Sequence, residues 1–488
     1  MQDKPSKKQL YFLFLLATVL LGLTYFGLYS QTDELVYGIA VVPLGMIMVY
    51  LFVFHLKVLF YLMVLSLPLS LNMRDVGGGI GISLPSEVMI AFLAVGVLSK
   101  MILQFEVYRK FFFHPISLLV VAHVAWIAVT CLTSTMFIVS LKFLIVRTSF
   151  ILVFFFYAIE LLQKEKDVRR FFYLYFIGFV PVIVYSFVVH SEFGFTQQTS
   201  NRICYPFYND HTIYAAVMAM LIPVFVAINT VKKRMGKFDA RSVSNITILV
   251  VLIFSIIMSY SRAGVVSLMV AVVGWVVFRF RIPFWRVVSV LLICTVIGLV
   301  LKGPIGDALS SNDTVSGGSV VENLKSTSNI SSDASNTERI NRWKCAIRMF
   351  QERPVFGFGP GTYMFNYGAF QQANDKTEIS VEDGSLGGAH SEYLKPLSES
   401  GLLGVVFFIG AMLATIFYGM RVIYTTRSTF FKYMAMGIVL GFSTYVFHGI
   451  VNFFLDTDKF AVLFLGFMAL ITVFDVKNQE DLASDKDK

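Results

Sequence analysis

The sequence predicts an all-α polytopic membrane protein: a helical bundle of about 12–14 transmembrane helices with one large external loop that contains a surface helix. Three observations carry this. Of 488 residues, 56% are hydrophobic and only 15% charged, against about 25% charge in a soluble domain. The apolar residues fall into runs near the roughly 20 residues that a hydrocarbon core demands of a helix. The basic residues cluster in every second gap between those runs. The formal charge of +9 therefore reads as a topology signal, and nucleic acid is not expected as a partner.

The runs lie near 10–30, 35–54, 57–71, 86–103, 115–135, 141–162, 170–190, 211–230, 244–260, 262–279, 284–301, 397–420, 430–452 and 456–474. The first follows "MQDKPSKKQL", which resembles a signal-peptide n-region. The run Leu10–Tyr29 lacks a small-residue cleavage site, so it is read as a retained helix. Lys100, Arg109 and Lys110 open the basic series, followed by Lys164, Lys166, Arg169 and Arg170. Lys232, Lys233, Arg234, Lys237 and Arg241 come next, then Arg279, Arg281 and Arg286, and finally Arg421, Arg427 and Lys432. The positive-inside rule then places both termini in the cytoplasm. The gaps 72–85, 191–210, 260–262, 302–396 and 452–456 fall on the external side.

This divides the chain into N-terminal helices (1–200), further transmembrane helices (201–301), a large external loop (302–396), C-terminal helices (397–475) and a cytoplasmic tail (476–488). Within the loop, 302–337 is rich in Ser, Asn, Gly and Thr and is expected to be flexible. The stretch 338–353 puts Ile340, Trp343, Ile347 and Phe350 on one helical face, and the helix is expected to lie on the membrane surface. Ser335 with Glu338 forms a capping-box pattern and Pro354 ends the helix. "GFGPGTYMF" supplies a glycine-rich turn. Cys204 and Cys345 are the two cysteines outside or near the edge of the spans; nothing in the spacing calls for metal or a bridge.

Arginine is the informative residue type on the external side. Arg262 sits at the tip between two spans, and its small neighbours Ser261, Ala263 and Gly264 indicate a tight turn that aims it; snorkelling is the bland alternative. Arg339 and Arg342 lie on the amphipathic helix, where a solvated face is the ordinary fate. Arg202 is flanked by aromatics and has cation–π packing as its alternative. Lys142 and Arg147 enter a span from outside, Arg147 so deep that it requires an anionic partner. Together these cations are a candidate pocket for a diphosphate, because guanidinium forks bind phosphate oxygens in pairs.

His390 is the titratable group on that side best placed to act as a base, set over the pocket by the freedom of Gly387 and Gly388. Glu392, Tyr393 and Glu399 are candidates for orienting it or the acceptor. His55 and His114 fall at cytoplasmic ends and His123 inside a span. Asp456 and Asp458 form an i, i+2 pair that reads as two acids at a helix entrance rather than a metal site. There is no HExxH motif, P-loop or GxSxG elbow, and no cofactor is expected.

"MSYSRAG" (258–264), "ERINRWKCAIRMFQERPVFGFGPGTYMF" (338–365) and "HSEYLKPLSESGLLG" (390–404) together resemble the O-antigen ligase/polymerase superfamily, in order and spacing. The resemblance covers roughly residues 200–455. It implies a GT-C-like membrane enzyme that transfers a glycan from undecaprenyl diphosphate to an acceptor at the periplasmic face of the bacterial inner membrane. The implied chemistry is metal-independent and inverting. Arg262 and Arg339 match the family's diphosphate-holding arginines, while Arg342 has no fixed counterpart. His390 matches the general base, and Ser391 stands where the family has Asn. Lipid A–core oligosaccharide is the leading acceptor; a polymerase and a protein O-oligosaccharyltransferase would share the donor. From another class, a polysaccharide transporter would need carboxylates deep in the bundle, and the spans are nearly bare of them.

Overall fold

The computed structural model describes Tyr11, Val19 and residues 45–73, 82–236, 240–300, 334–376, 380 and 387–484. The expected first helix near 10–30, nearly all of the Ser/Asn-rich stretch and the end of the tail lie outside the described residues. Thirteen helices organise the remainder. They are α1 (Leu56–Ser66), α2 (Ser86–Leu103), α3 (Pro115–Leu132), α4 (Phe137–Leu161), α5 (Glu165–Glu192), α6 (His211–Arg234) and α7 (Ala240–Met258). They continue with α8 (Arg262–Arg279), α9 (Phe284–Val300), α10 (Ala334–Glu352), α11 (Leu394–Thr425), α12 (Thr429–His448) and α13 (Asp458–Ser484). Among the described residues nine helices are long and apolar enough to cross a membrane. The chain is a multi-pass, all-α membrane protein.

The expected run 57–71 is modified in a specific way. Apolar helix ends at Leu69, and Leu71–Met73 pairs antiparallel with Ile82–Leu84 as β1 and β2, a two-stranded ribbon that the hydropathy pattern does not reveal. An apolar run shorter than the hydrocarbon thickness leaves its end free for other backbone pairing.

Contacts between distant segments group on two opposite faces of the bundle. On one face Lys110 meets Glu480 at 2.7 Å, Lys57 meets Asp167 at 3.2 Å, and Asp475 binds both His114 (3.0 Å) and Arg421. This is the face of the basic clusters. On the opposite face, which carries the large loop, Arg147 meets Asp456 at 2.8 Å and Lys395 joins the same carboxylate. Ser86 donates to Asp458 there, and Tyr175 Oη to the Lys459 carbonyl at 2.7 Å. Arg147 thus has the anionic partner that its depth requires.

Helix α13 is apolar on every side and its membrane-length window is wholly buried, as a helix without a polar stripe must be. Helix α6 is nearly as central. It owes its close approach to α12 to small residues: a Cβ on Gly441 would stand 2.4 Å from the Met220 carbonyl oxygen, and one on Gly437 2.6 Å from the Ala227 Cβ. Gly437-x-x-x-Gly441 therefore brings two backbones together where lipid offers no hydrophobic drive for association. This contact aligns the loop-face ends of both helices. Gly441→Leu is expected to lower stability by about 2 kcal/mol through overpacking, read as a fall in melting temperature of the detergent-solubilised protein. An unchanged melting temperature would refute the close contact.

Candidate functional site

Helix α10 and the two segments that follow it form one interlocked body on the loop face. The buried stripe of α10 is Glu338, Asn341, Arg342, Cys345, Ala346 and Met349, packed on Phe358, Tyr363, Tyr367 and Ala389. The expected apolar stripe lies on another side of the helix: Ile347 is exposed and Ile340, Trp343 and Phe350 are only partly covered. Glu338 accepts from Arg342 Nε at 2.8 Å and from Ser380 Oγ at 2.5 Å, and the helix already begins at Ala334, one residue before the expected cap Ser335. The Ser335 side chain lies outside the described residues. Cys204 and Cys345 are free, buried thiols.

The glycine turn locks onto the start of α11. Gly357, Gly359 and Gly361 all have positive φ, and a Cβ on Gly357 would fall 2.3 Å from the Glu399 backbone carbon. Phe358 N and Gly359 N donate to the carbonyls of Ser398 and Glu399 at 3.1 and 2.8 Å. The Glu399 carboxylate accepts from Gly361 N (2.9 Å) and Tyr363 N (3.0 Å). Gly401, at φ 67°, breaks the helix, and Leu402 N donates to the Pro354 carbonyl at 2.9 Å. Two separated sequence motifs are therefore two halves of one backbone fit. Glu399 belongs to that fit and does not orient His390.

His390 hangs from this body. Trp343 Nε1 donates to its carbonyl (3.2 Å) and Arg342 Nη1 to the Gly388 carbonyl (3.1 Å). The double glycine serves close approach rather than freedom: a Cβ on Gly387 would meet Arg342 Nη1 at 2.2 Å, and one on Gly388 the Phe453 ring at 1.9 Å. His390 itself adopts φ 47°, a left-handed conformation that costs a non-glycine residue about 1 kcal/mol and recurs at functional sites. Its ring meets Phe453 edge-on at 5.9 Å.

The electrostatics follow from the neighbours. Burial, then the guanidinium groups of Arg342 and Arg339, push the imidazole down to about 4; Asp210 and Glu338 act weakly in the opposite sense. The ring is accordingly neutral at pH 7. Asp210 caps α6, accepting from Thr212 N at 2.9 Å, with His211 Nδ1 3.1 Å away. Burial would raise its carboxyl, but His211 and the helix terminus hold it below the usual carboxylate range.

The other expected site residues are distributed differently. Glu392 is a structural tie: it accepts from Tyr445 Oη, Phe454 N (2.6 Å) and Leu455 N (2.9 Å), while its own N–H donates to Gly449 O at 2.8 Å. Tyr393 Oη donates to the Val446 carbonyl at 2.5 Å. Neither group reaches the imidazole. Arg147 stacks on Phe143 and belongs with Asp456, Lys395, Glu399 and His123 around a separate small cavity. Arg202 is exposed. Arg262 is the first residue of α8, half-buried and set by Ser261, whose hydroxyl accepts from Gly264 N at 3.2 Å. The preceding Tyr260 has φ 52°, a second left-handed residue at a motif tip. Asp458 turns to Ser86 and Asp456 to Lys395 and Arg147, so the two acids do not converge.

Sequence reasoning missed Asp210, although an aspartate directly before an apolar run is an N-cap signature. It also missed His448 and Asn452, which carry no local pattern.

The fold and this site define a multi-pass membrane protein that sets a neutral histidine among arginines just outside its spans. Residues 247–409 match the family model described as O-antigen ligase, and this stretch is similar to that family. No curated protein matches it. The matched stretch contains Arg262, Arg339, Arg342 and His390, whereas Arg147, Arg202, Asp210 and His448 lie outside it. The match supports a glycosyltransferase-like activity of the O-antigen ligase or polymerase type in general terms.

Glu392→Ala should cost about 3 kcal/mol of stability, since it strands buried donors. In Glu392→Gln, which keeps a hydrogen-bonding carbonyl and removes the charge, the pH midpoint for carbethoxylation of His390, read by mass spectrometry, should stay near 4. A shifted midpoint would instead make Glu392 a partner of the imidazole.

Proposed function

We propose that this chain transfers a polysaccharide from undecaprenyl diphosphate to an acceptor hydroxyl at the periplasmic face of the bacterial inner membrane. Lipid A–core oligosaccharide is the acceptor, and the reaction is metal-independent and inverts the anomeric carbon. One observation carries the reading: a half-buried, neutral imidazole at the loop face, within electrostatic reach of Arg342 and Arg339.

The chemistry assigns each group. His390 accepts the proton of the acceptor hydroxyl as its oxygen attacks the anomeric carbon. The bond from that carbon to the diphosphate oxygen breaks, and its electron pair leaves with the diphosphate. Arg339 and Arg262 stabilise the charge that develops there. Arg342, bound to Glu338 and the Gly388 carbonyl, holds the His390 loop and adds positive potential. Arg147 is neutralised by Asp456 and Arg202 is exposed, so both drop out of the diphosphate site.

The two arginines give the site a coupling between donor and base. Without donor they depress the imidazole. A bound diphosphate offsets their charge and raises its basicity, so the base strengthens when the donor is in place. The group is deprotonated above its midpoint, so activity should fall as pH is lowered. The acid limb of kcat/KM, which reports free enzyme, should fall near pH 4, and that of kcat at a higher pH. Coincident limbs, or a kcat limb at lower pH, would contradict the coupling.

Two further measurements test the assignment. His390→Ala should reduce transfer at least 1000-fold with expression and donor binding intact; transfer at the wild-type rate would remove the base. Arg339→Ala and Arg262→Ala should each weaken donor binding about tenfold, and unchanged affinity in both would overturn the clamp. The acceptor is tested by supplying purified protein with undecaprenyl-linked repeat units, with and without lipid A–core. Products that require the core support the ligase reading, whereas a growing ladder without it makes the chain a polymerase.

A further inference from the structure

A second histidine lies on the loop face, next to the Gly449 that the Glu392 amide holds, and the proposed chemistry leaves it unused. His448 ends α12 at the loop face and is 1% exposed. Among the described residues neither of its ring nitrogens has a hydrogen-bond partner. Asn452, four residues on and 3% exposed, presents an Nδ2 in the same condition. Arg339 and Asp210 lie within electrostatic reach of both His448 and His390. The turn between α12 and α13 also carries Phe453 onto the His390 ring, while Phe454 packs on the His448 ring at 5.4 Å.

Burying a polar atom with no partner costs about 1–3 kcal/mol, and native structures keep few such atoms. Here three cluster within one turn. Nothing local demands them, because an apolar side chain against Phe454 would fill the place of the imidazole at lower cost. A neutral imidazole offers one donor and one acceptor, and the Asn452 amide adds a further donor. The complement of that set is a pair of neighbouring hydroxyls, the pattern of a pyranose ring.

We infer that His448 and Asn452 form a sugar subsite that binds the hydroxyls of the donor's first sugar, the one joined to the diphosphate. This rests on the transferase reading above. Arg339 selects the donor sugar over the acceptor, because the arginine assigned to the diphosphate lies within reach of both imidazoles and the first sugar is covalently next to that group. His448 is in this sense a specificity-determining residue, and His390 remains the base.

The test uses the full-length protein in nanodiscs and two probes: undecaprenyl diphosphate, and the undecaprenyl-linked repeat unit purified from cells lacking the protein. Wild type should bind the sugar-bearing lipid about tenfold more tightly than the bare one. His448→Leu should abolish that ratio with bare-lipid affinity within about twofold of wild type and a melting temperature equal or higher, since it removes unpaired polar atoms. Asn452→Leu should reduce the ratio, and His448→Gln, which keeps a donor and an acceptor, should recover part of it. A ratio unchanged in His448→Leu overturns the subsite, as does a lower melting temperature with equal loss for both lipids, which would make His448 a fold residue. Failure of wild type to bind either lipid strikes the transferase reading itself, and that outcome is separate from a bare lipid bound without preference for sugar.

Discussion

Everything at the loop face depends on one buried carboxylate. Glu392 accepts from Tyr445 Oη and from two successive backbone amides, Phe454 N and Leu455 N, while its own amide holds Gly449. Through these bonds a single side chain joins the His390 segment to both ends of the α12–α13 connection. His390 lies two residues before it in sequence, His448 adjoins the Gly449 that it holds, and Asp456 follows the amides that it binds. A carboxylate saturated by hydrogen bonds is well suited to this, because each donor loses more when unpaired in a low-dielectric interior than it gains when paired. The site is therefore positioned by polar bonds, on a bundle whose spans are held by shape.

That division of labour follows from the solvent. Within the spans, apolar side chains gain little by leaving lipid for protein, so packing must come from close fit. Gly437 and Gly441 against α6 are such a fit. It carries the α6 N-terminus, with Asp210 as its cap, to the level of His448. At the loop face the rule changes. Backbone is irregular there, every amide needs a partner, and the chain supplies one by folding 357–361 against 398–402. The positive-φ residues Gly357, Gly359, Gly361 and Gly401 fall in these two segments, and His390 lies shortly before the second.

This contrast also explains what could be read from the sequence. The long spans were legible because hydrocarbon imposes length and composition on each helix independently of its neighbours; 86–103 and 262–279 coincide with α2 and α8. The tight turn at Arg262 was legible because a short motif carries its own cap, Ser261 accepting from Gly264 N. The role of Glu392 was not. Standing two residues from a histidine says nothing about direction, and the left-handed φ of His390 turns the chain between them. Nor was the buried face of α10 legible, because the apolar-face rule assumes that protein provides the cover. The short run at 57–71 yielded a ribbon for a related reason: below the thickness of the membrane, hydropathy no longer dictates conformation.

The arrangement of charge resolves a difficulty inherent in this kind of site. A diphosphate needs cations, yet cations beside an imidazole weaken it as a base. Here burial and two arginines depress His390 together, so in the free protein the imidazole is neutral at pH 7 and of low basicity. Under the proposed function that penalty is conditional. The donor's negative charge cancels the arginines' effect, whereas the contribution of burial remains and increases as the site fills. Glu338 and Asp210 prevent the potential from growing larger still, and Glu338 does so while accepting from Arg342 Nε, whose Nη1 donates to the Gly388 carbonyl. The base thus reaches its working strength only beside the substrate it serves, which also limits its reaction with water before the donor arrives.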